Sequence, residues 1–175
     1  VIGGKLTTCR SLAESVAEKI LQRLGCEVAV RSHNRTVAGG EGFPQTKYSE
    51  ATMIGQVADS HRLTREQVQP AWEWFGTRTD AVLEQCMTDR SYGSGSITVA
   101  KTEIPVPLIR WMIRHEWVRT LSDLVERRLM LVHDPDLNED TLRQLARLLQ
   151  EEHILSEEFV EPSVKNCMQQ LQQRY

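Results

Sequence analysis

Two places in this sequence hold residues whose types and spacing suit chemistry: Lys5, directly behind Gly3 and Gly4, and the adjacent pair Arg127 and Arg128. Glycines let a backbone approach a ligand closely, and the unpaired amides of a helix start, reinforced by the helix dipole, favour negative charge. The run Val1-Ile2-Gly3-Gly4-Lys5-Leu6-Thr7-Thr8 stands immediately before a periodic amphipathic stretch, so it is predicted to form a strand-to-helix elbow suited to an anion. Lys5 adds a mobile cation there, and Thr7 or Thr8 can cap the helix through its hydroxyl. Arg127 and Arg128 present planar forks of N–H donors that match carboxylate or phosphate. Two roles are open to them: tying helices together through Glu116, which lies in an apolar run, or facing a substrate phosphate.

Other reactive constellations do not hold up. Asp134-Pro135-Asp136-Leu137-Asn138 alternates carboxylates like a calcium loop, but Glu139 occupies the glycine position and Leu145 stands where a bidentate glutamate is needed. His33, His61, His115, His133 and His153 share no ligand spacing on a helix face, which argues against a metal site. Cys9, Cys26, Cys86 and Cys167 lack CxxC spacing and fit reduced thiols in a cytosol-facing protein. No Ser-His-Asp or Cys-His arrangement is legible, because such partners meet only in space.

The elements that must position these residues read as helices. Leu6 to Leu24 keeps a helical apolar period, and Gly25 supplies its stop. Arg31 to Lys47, with Gly39, Gly40, Gly42 and Pro44, is predicted to be loop. A short helix over Ala51 to His61 is expected with Ser49 as its cap, and Thr64-Arg65-Glu66-Gln67 has the form of a capping box. Pro70 requires that the next helix either start near Gln69 or kink. Asp80 to Met87 should bury Ala81, Leu83, Cys86 and Met87, followed by a loop over Asp89 to Lys101 with a brief extended run at Ile97 to Val99.

Pro105 and Pro107 introduce the most apolar helix, carrying Leu108, Ile109, Met112, Ile113, Glu116 and Trp117, which is expected to be the least exposed. Thr120 and Asp123 form a capping-box-like start one turn ahead of Arg127 and Arg128. Thr141 to Glu152 and a last helix opened by Ser156 complete the pattern, and the polar tail Gln169 to Tyr175 is expected to fray. Helical periods dominate and sustained alternation is absent, so the predicted fold is all-α, with six to eight helices.

With 175 residues and 40% hydrophobic content the chain can bury one respectable core. Its net charge of −3, with signs interspersed, points away from nucleic acid and from electrostatic membrane attachment. No apolar run approaches the ~20 residues of a membrane span, and the start shows no signal peptide. Opening at Val1 inside an apolar strand-like run, it reads as a piece of a longer polypeptide.

Gly3-Gly4-Lys5-Leu6-Thr7-Thr8-Cys9-Arg10 resembles the GGKLTTYR signature of FAD-dependent glycerol-3-phosphate dehydrogenases, with Cys9 in place of tyrosine. His115-Glu116-Trp117-Val118-Arg119-Thr120-Leu121-Ser122-Asp123-Leu124-Val125-Glu126-Arg127-Arg128 resembles the HEWVRTLxDxLxRR signature of their carboxy-terminal domain. Between the two, Thr36-Val37-Ala38-Gly39-Gly40 is similar to the family's LPGG loop, and Phe75-Gly76-Thr77-Arg78 to its YGSR turn. The resemblance implies three parts: the final elbow and helix of a flavin domain over 1–30, a linker over 31–47, and a helical carboxy-terminal domain over 48–175.

It further implies that Gly3, Gly4, Lys5, Leu6 and Thr7 face FAD. Lys5 becomes a candidate for binding the substrate, and the donor forks of Arg127 and Arg128 make them further candidates. The parent would oxidise sn-glycerol 3-phosphate to dihydroxyacetone phosphate and pass electrons to quinone, as a cytoplasmic enzyme peripheral to the inner membrane. A glycerol-phosphate oxidase using oxygen, another flavin oxidase of the amino-acid oxidase-like superfamily, and a non-catalytic helical module for partner binding or homodimer formation stand as alternatives. No GxGxxG turn occurs in the sequence, so FAD and activity are expected only with the upstream flavin domain of the same polypeptide.

Overall fold

Helical periodicity is realised through most of what the computed structural model describes, which is residues 6–26, 31–88, 98–100 and 102–174. The chain divides into two compact units, Val1–Val37 and Ala38–Tyr175. In the first, a 3-10 turn at Leu6–Thr8 leads into helix α1, Cys9–Arg23. Thr8 occupies the N-cap position but its side chain makes no capping bond, contrary to the role expected of it. Gly25 does stop the helix: at φ 70° it allows its own amide to reach the Gln22 carbonyl and the Cys26 amide to reach that of Leu21 at 2.9 Å. One edge of α1, built by Arg10, Glu14 and Glu18 at i, i+4 spacing, holds the segment that follows. The amide and hydroxyl of Ser32 both donate to Glu14 Oε1 at 2.6 Å, Arg10 donates to the carbonyls of Ser32 and Arg35, and Arg31 pairs with Glu18 at 3.6 Å.

The second unit contains helices α2 (Lys47–His61), α3 (Arg65–Phe75), α4 (Thr79–Thr88), α5 (Val106–His115), α6 (Glu139–Glu151) and α7 (Val160–Arg174). Among the described residues extended pairing is confined to one isolated bridge between Thr98 and Pro105, so the all-α expectation holds. Helix α2 packs on α3, both meet α4, α4 meets α5, and α6 lies along α7. Leu83, Leu108, Ile109, Leu124, Leu142, Leu145, Leu149 and Val164 are fully buried at the centre, and burying each leucine-sized side chain is worth about 1.5–3 kcal/mol.

Local signals fixed several helix ends. Thr64 Oγ1 accepts the Gln67 amide at 3.3 Å while Gln67 Oε1 accepts the Thr64 amide at 3.0 Å, the reciprocal pattern that its sequence predicts. Helix α3 therefore begins at Arg65 and carries Pro70 in its second turn, which excludes a start near Gln69. Helix α2 is capped by Thr46, with Ser49 as the third helical residue bonded back to it, so the cap lies three residues earlier than expected.

Helix α4 turns Val82, Leu83 and Cys86 inward and leaves Ala81 exposed. The expected inward set fails at Ala81 because the Thr79 hydroxyl, bonded to the Ala71 and Gly76 carbonyls at 3.1 and 2.7 Å, sets the helix rotation. Burial pushes the Cys86 thiol up to about 12. At the other end, α7 stays helical through Arg174, where fraying was expected, because Val164, Cys167, Met168 and Leu171 pack it onto the core.

Candidate functional site

Of the residues singled out at the chain's start, Gly3, Gly4 and Lys5 lie outside the described residues. Leu6 and Thr7 form the 3-10 turn that enters α1, with Thr7 exposed. The Thr8 side chain makes no capping bond, and α1 continues directly from that turn.

Arg127 and Arg128 sit in a π-helical segment, Asp123–Arg128, and their roles differ. Arg127 is largely exposed and pairs with Asp123 at 2.7 Å. Arg128 is half-buried, and its Nε donates to the backbone carbonyl of Glu116 at 2.6 Å. The expected tie between an arginine and the Glu116 carboxylate is therefore replaced by a tie to its main chain. Helix α5 ends at His115, so the Glu116 side chain leaves the apolar face and is only half-buried.

The segment that follows α5 is held by hydrogen bonds among its own residues. Asp123 Oδ2 accepts the amides of Arg119 at 3.3 Å and Thr120 at 3.0 Å, while Thr120 Oγ1 accepts the Asp123 amide at 3.1 Å. Burial of the Asp123 carboxyl works against its charge, but the Thr120 hydroxyl, the two amides and Arg127 outweigh it and lower its pKa. Val118 is 1% exposed and anchors the middle. Trp117, expected in the core, is instead 80% exposed at φ 56°, with the Arg119 guanidinium 5.9 Å from its ring centroid.

Beneath this segment lies an ion-pair network that the sequence reading missed. Arg110 and Arg114, one turn apart on α5, converge on Glu152 at 2.8 and 2.5 Å, and Arg110 also pairs with Glu151. The Glu152 side chain is only 6% exposed; burial opposes its charge, yet the hydrogen bonds from Arg114 and Arg110 prevail and lower its pKa. A signal was present: two glutamates at the carboxy-terminal end of a helix oppose its dipole and call for cations nearby. His115 stacks on Trp111, centroids 4.6 Å apart, and closes the same end of α5. A cavity of about 180 Å³ opens between Arg114, Trp117, Val118, Glu152 and Ile154.

Comparison with known proteins places this architecture. Residues 30–159 match the family described as the C-terminal domain of alpha-glycerophosphate oxidase, a span that contains the segment from His115 to Arg128. Among curated proteins, the anaerobic glycerol-3-phosphate dehydrogenase subunit A1 of Haloferax volcanii is 28% identical over 83 residues, which are 47% of this chain and 13% of that protein. The chain thus corresponds to a small part of this relative's length. No solved structure gives a significant match. With a family match across most of its length, the chain belongs to the family of the C-terminal domain of alpha-glycerophosphate oxidase.

Proposed function

We propose that the chain is the carboxy-terminal part of an FAD-dependent glycerol-3-phosphate dehydrogenase whose full polypeptide oxidises sn-glycerol 3-phosphate to dihydroxyacetone phosphate and delivers electrons to quinone. The observation that carries this reading is the family match over residues 30–159, with the His115 to Arg128 signature inside it. In this reading residues 1–30 close the flavin domain, 31–47 link the two domains, and 48–175 form the helical domain. Among the described residues no helix is long and apolar enough to cross a membrane, and the parent is proposed to sit peripherally at the inner membrane.

When bound, FAD supplies the hydride acceptor. Gly3, Gly4, Leu6 and Thr7 would give it one backbone edge at the entry to α1. Lys5 would hold the substrate phosphate in place by charge, a preorganised contact of the kind that stabilises developing charge as well. Arg127, exposed beyond its bond to Asp123, is the better placed of the two arginines to reach a phosphate, since Arg128 is already used by the Glu116 carbonyl. The sequence contains no cradle for the dinucleotide end of FAD, so the isolated chain is proposed to be colourless and inactive.

The test is to purify the full-length parent and measure bound flavin and glycerol-3-phosphate-dependent dye reduction. A flavin-loaded parent that reduces dye with glycerol 3-phosphate supports the reading. A flavin-loaded parent inert toward glycerol 3-phosphate overturns the substrate, and stoichiometric FAD on the 175-residue chain alone overturns its dependence on an upstream domain.

A further inference from the structure

The segment that follows α1 comes back along it. Arg10, Glu14 and Glu18, one turn apart on the helix, meet Arg35 and Ser32, then Ser32 again, then Arg31, so residues 31–35 run antiparallel to α1 and end beside its first turn. Two of these side chains close on one residue from both sides. Arg10 donates to the Ser32 carbonyl and, at 2.5 Å, to that of Arg35, while Glu14 Oε1 accepts the Ser32 amide and hydroxyl, each at 2.6 Å. The turn they grip is itself closed, by the Arg35 amide on the Ser32 carbonyl at 2.9 Å. The bonds of this clasp are charge-assisted, and the Ser32 hydroxyl and amide hold the Glu14 carboxyl below its usual 4.5, which keeps it an ionised acceptor at neutral pH. Apolar packing does not replace the clasp, since among the described residues α1 has none buried.

We propose that Arg10 and Glu14 are positioning residues for the flavin edge: their grip on Ser32 fixes the first turns of α1 and, with them, the turn Leu6–Thr8 that leads into the helix. This rests on the proposed reading of the chain as part of a flavoenzyme. Arg10 lies two residues past Thr8, so its anchor is within one turn of Thr7, which is exposed and open to a ligand. Neither side chain has to touch the flavin: the Arg10 fork is occupied by two carbonyls, and the Glu14 oxygen by Ser32. Their effect runs through the backbone they hold, where a displacement of about 1 Å can cost on the order of a hundredfold in rate.

The test compares Arg10→Ala, Glu14→Ala and Glu14→Gln in the full-length parent. The carboxamide oxygen introduced by Glu14→Gln can still accept both Ser32 bonds and so keeps the clasp, whereas the two alanine substitutions open it. Hydrogen exchange in the first two turns of α1 should be about tenfold faster or more in both alanine variants and close to wild type in Glu14→Gln. The dissociation constant for FAD should rise about tenfold in the same two variants and stay within about twofold in Glu14→Gln. Ser32→Ala removes the hydroxyl's bond and leaves the amide's, so it should move both readouts about threefold in the same direction, and it gives the answer where an alanine variant does not fold. Unchanged exchange overturns the clasp, faster exchange with unchanged FAD binding overturns the positioning role, and equal losses in Glu14→Gln and Glu14→Ala do the same. A wild-type parent that binds no flavin but shows the expected exchange pattern keeps the hold on α1 and discards the flavoenzyme reading.

Discussion

The backbones of Gly39 and Gly76 cross so closely that a Cβ on Gly39 would sit 2.2 Å from the Phe75 carbonyl oxygen, and one on Gly76 2.2 Å from that of Gly39. Both have positive φ, 84° and 55°, and the adjacent Thr77 amide donates to the Gly39 carbonyl at 3.0 Å. The crossing joins the loop ahead of α2 to the turn between α3 and α4. Gly39→Ala and Gly76→Ala should each destabilise the domain by about 2–4 kcal/mol, since backbone has to move in addition to the left-handed strain. The double variant should lose less than the sum, because the first substitution already opens the crossing. Urea titration of the three variants checks this, and strict additivity would contradict it.

Glu152 sets an acid limit on stability. Its pKa is lowered from the usual 4.5 in the folded state, so it stabilises the fold above that value and the contribution fades as pH falls through its lower folded pKa. Stability should therefore decline as pH falls below the ordinary glutamate value of 4.5, and Glu152→Gln should flatten that part of the profile. At pH 7 the same variant should be less stable by about 3 kcal/mol, because Arg110 and Arg114 keep their charges after losing the buried carboxylate they share. Urea midpoints from pH 3 to pH 8 test both statements.

Glu116→Ala is expected to change stability by less than about 1 kcal/mol, because the contact made there uses the main chain. Arg128→Ala should cost about 1.5–3 kcal/mol, the value of a charge-assisted bond. The reverse order of effects would restore the carboxylate pairing suggested by sequence.

The cysteines should react in two classes. Cys9 and Cys26 are exposed, whereas Cys86 and Cys167 are buried with their pKa values raised by desolvation. A thiol reagent at pH 8 should label two sites quickly and the other two only on unfolding, which a timed mass spectrum resolves.

Under the proposed function, Lys5→Met in the full-length parent should leave flavin bound and lower kcat/KM for glycerol 3-phosphate by roughly 10- to 100-fold, from the loss of one charge-assisted contact of ~1.5–3 kcal/mol. Wild-type kcat/KM at low ionic strength would make Lys5 a bystander.

What the sequence by itself determined is what depends on residues within a turn or two of each other. The Thr64–Gln67 and Thr120–Asp123 boxes follow from side chains bonding their own local backbone, the Gly25 stop from a positive φ that needs no Cβ, and the helical periods from apolar residues sharing one face, which is why the all-α class was legible. The signature from His115 to Arg128 likewise marked the right segment, but not the purpose of its parts. Tertiary structure decided that Trp117 faces outward and that Arg128 takes the Glu116 carbonyl instead of its carboxylate. It also decided that Arg110 and Arg114 meet Glu152 from another helix, and that Gly39 and Gly76 are glycines for each other's sake. Each of these depends on where α5 stops and which distant segment then comes within a few ångströms, and that is set by how the helices pack, not by the spacing of residues along one of them.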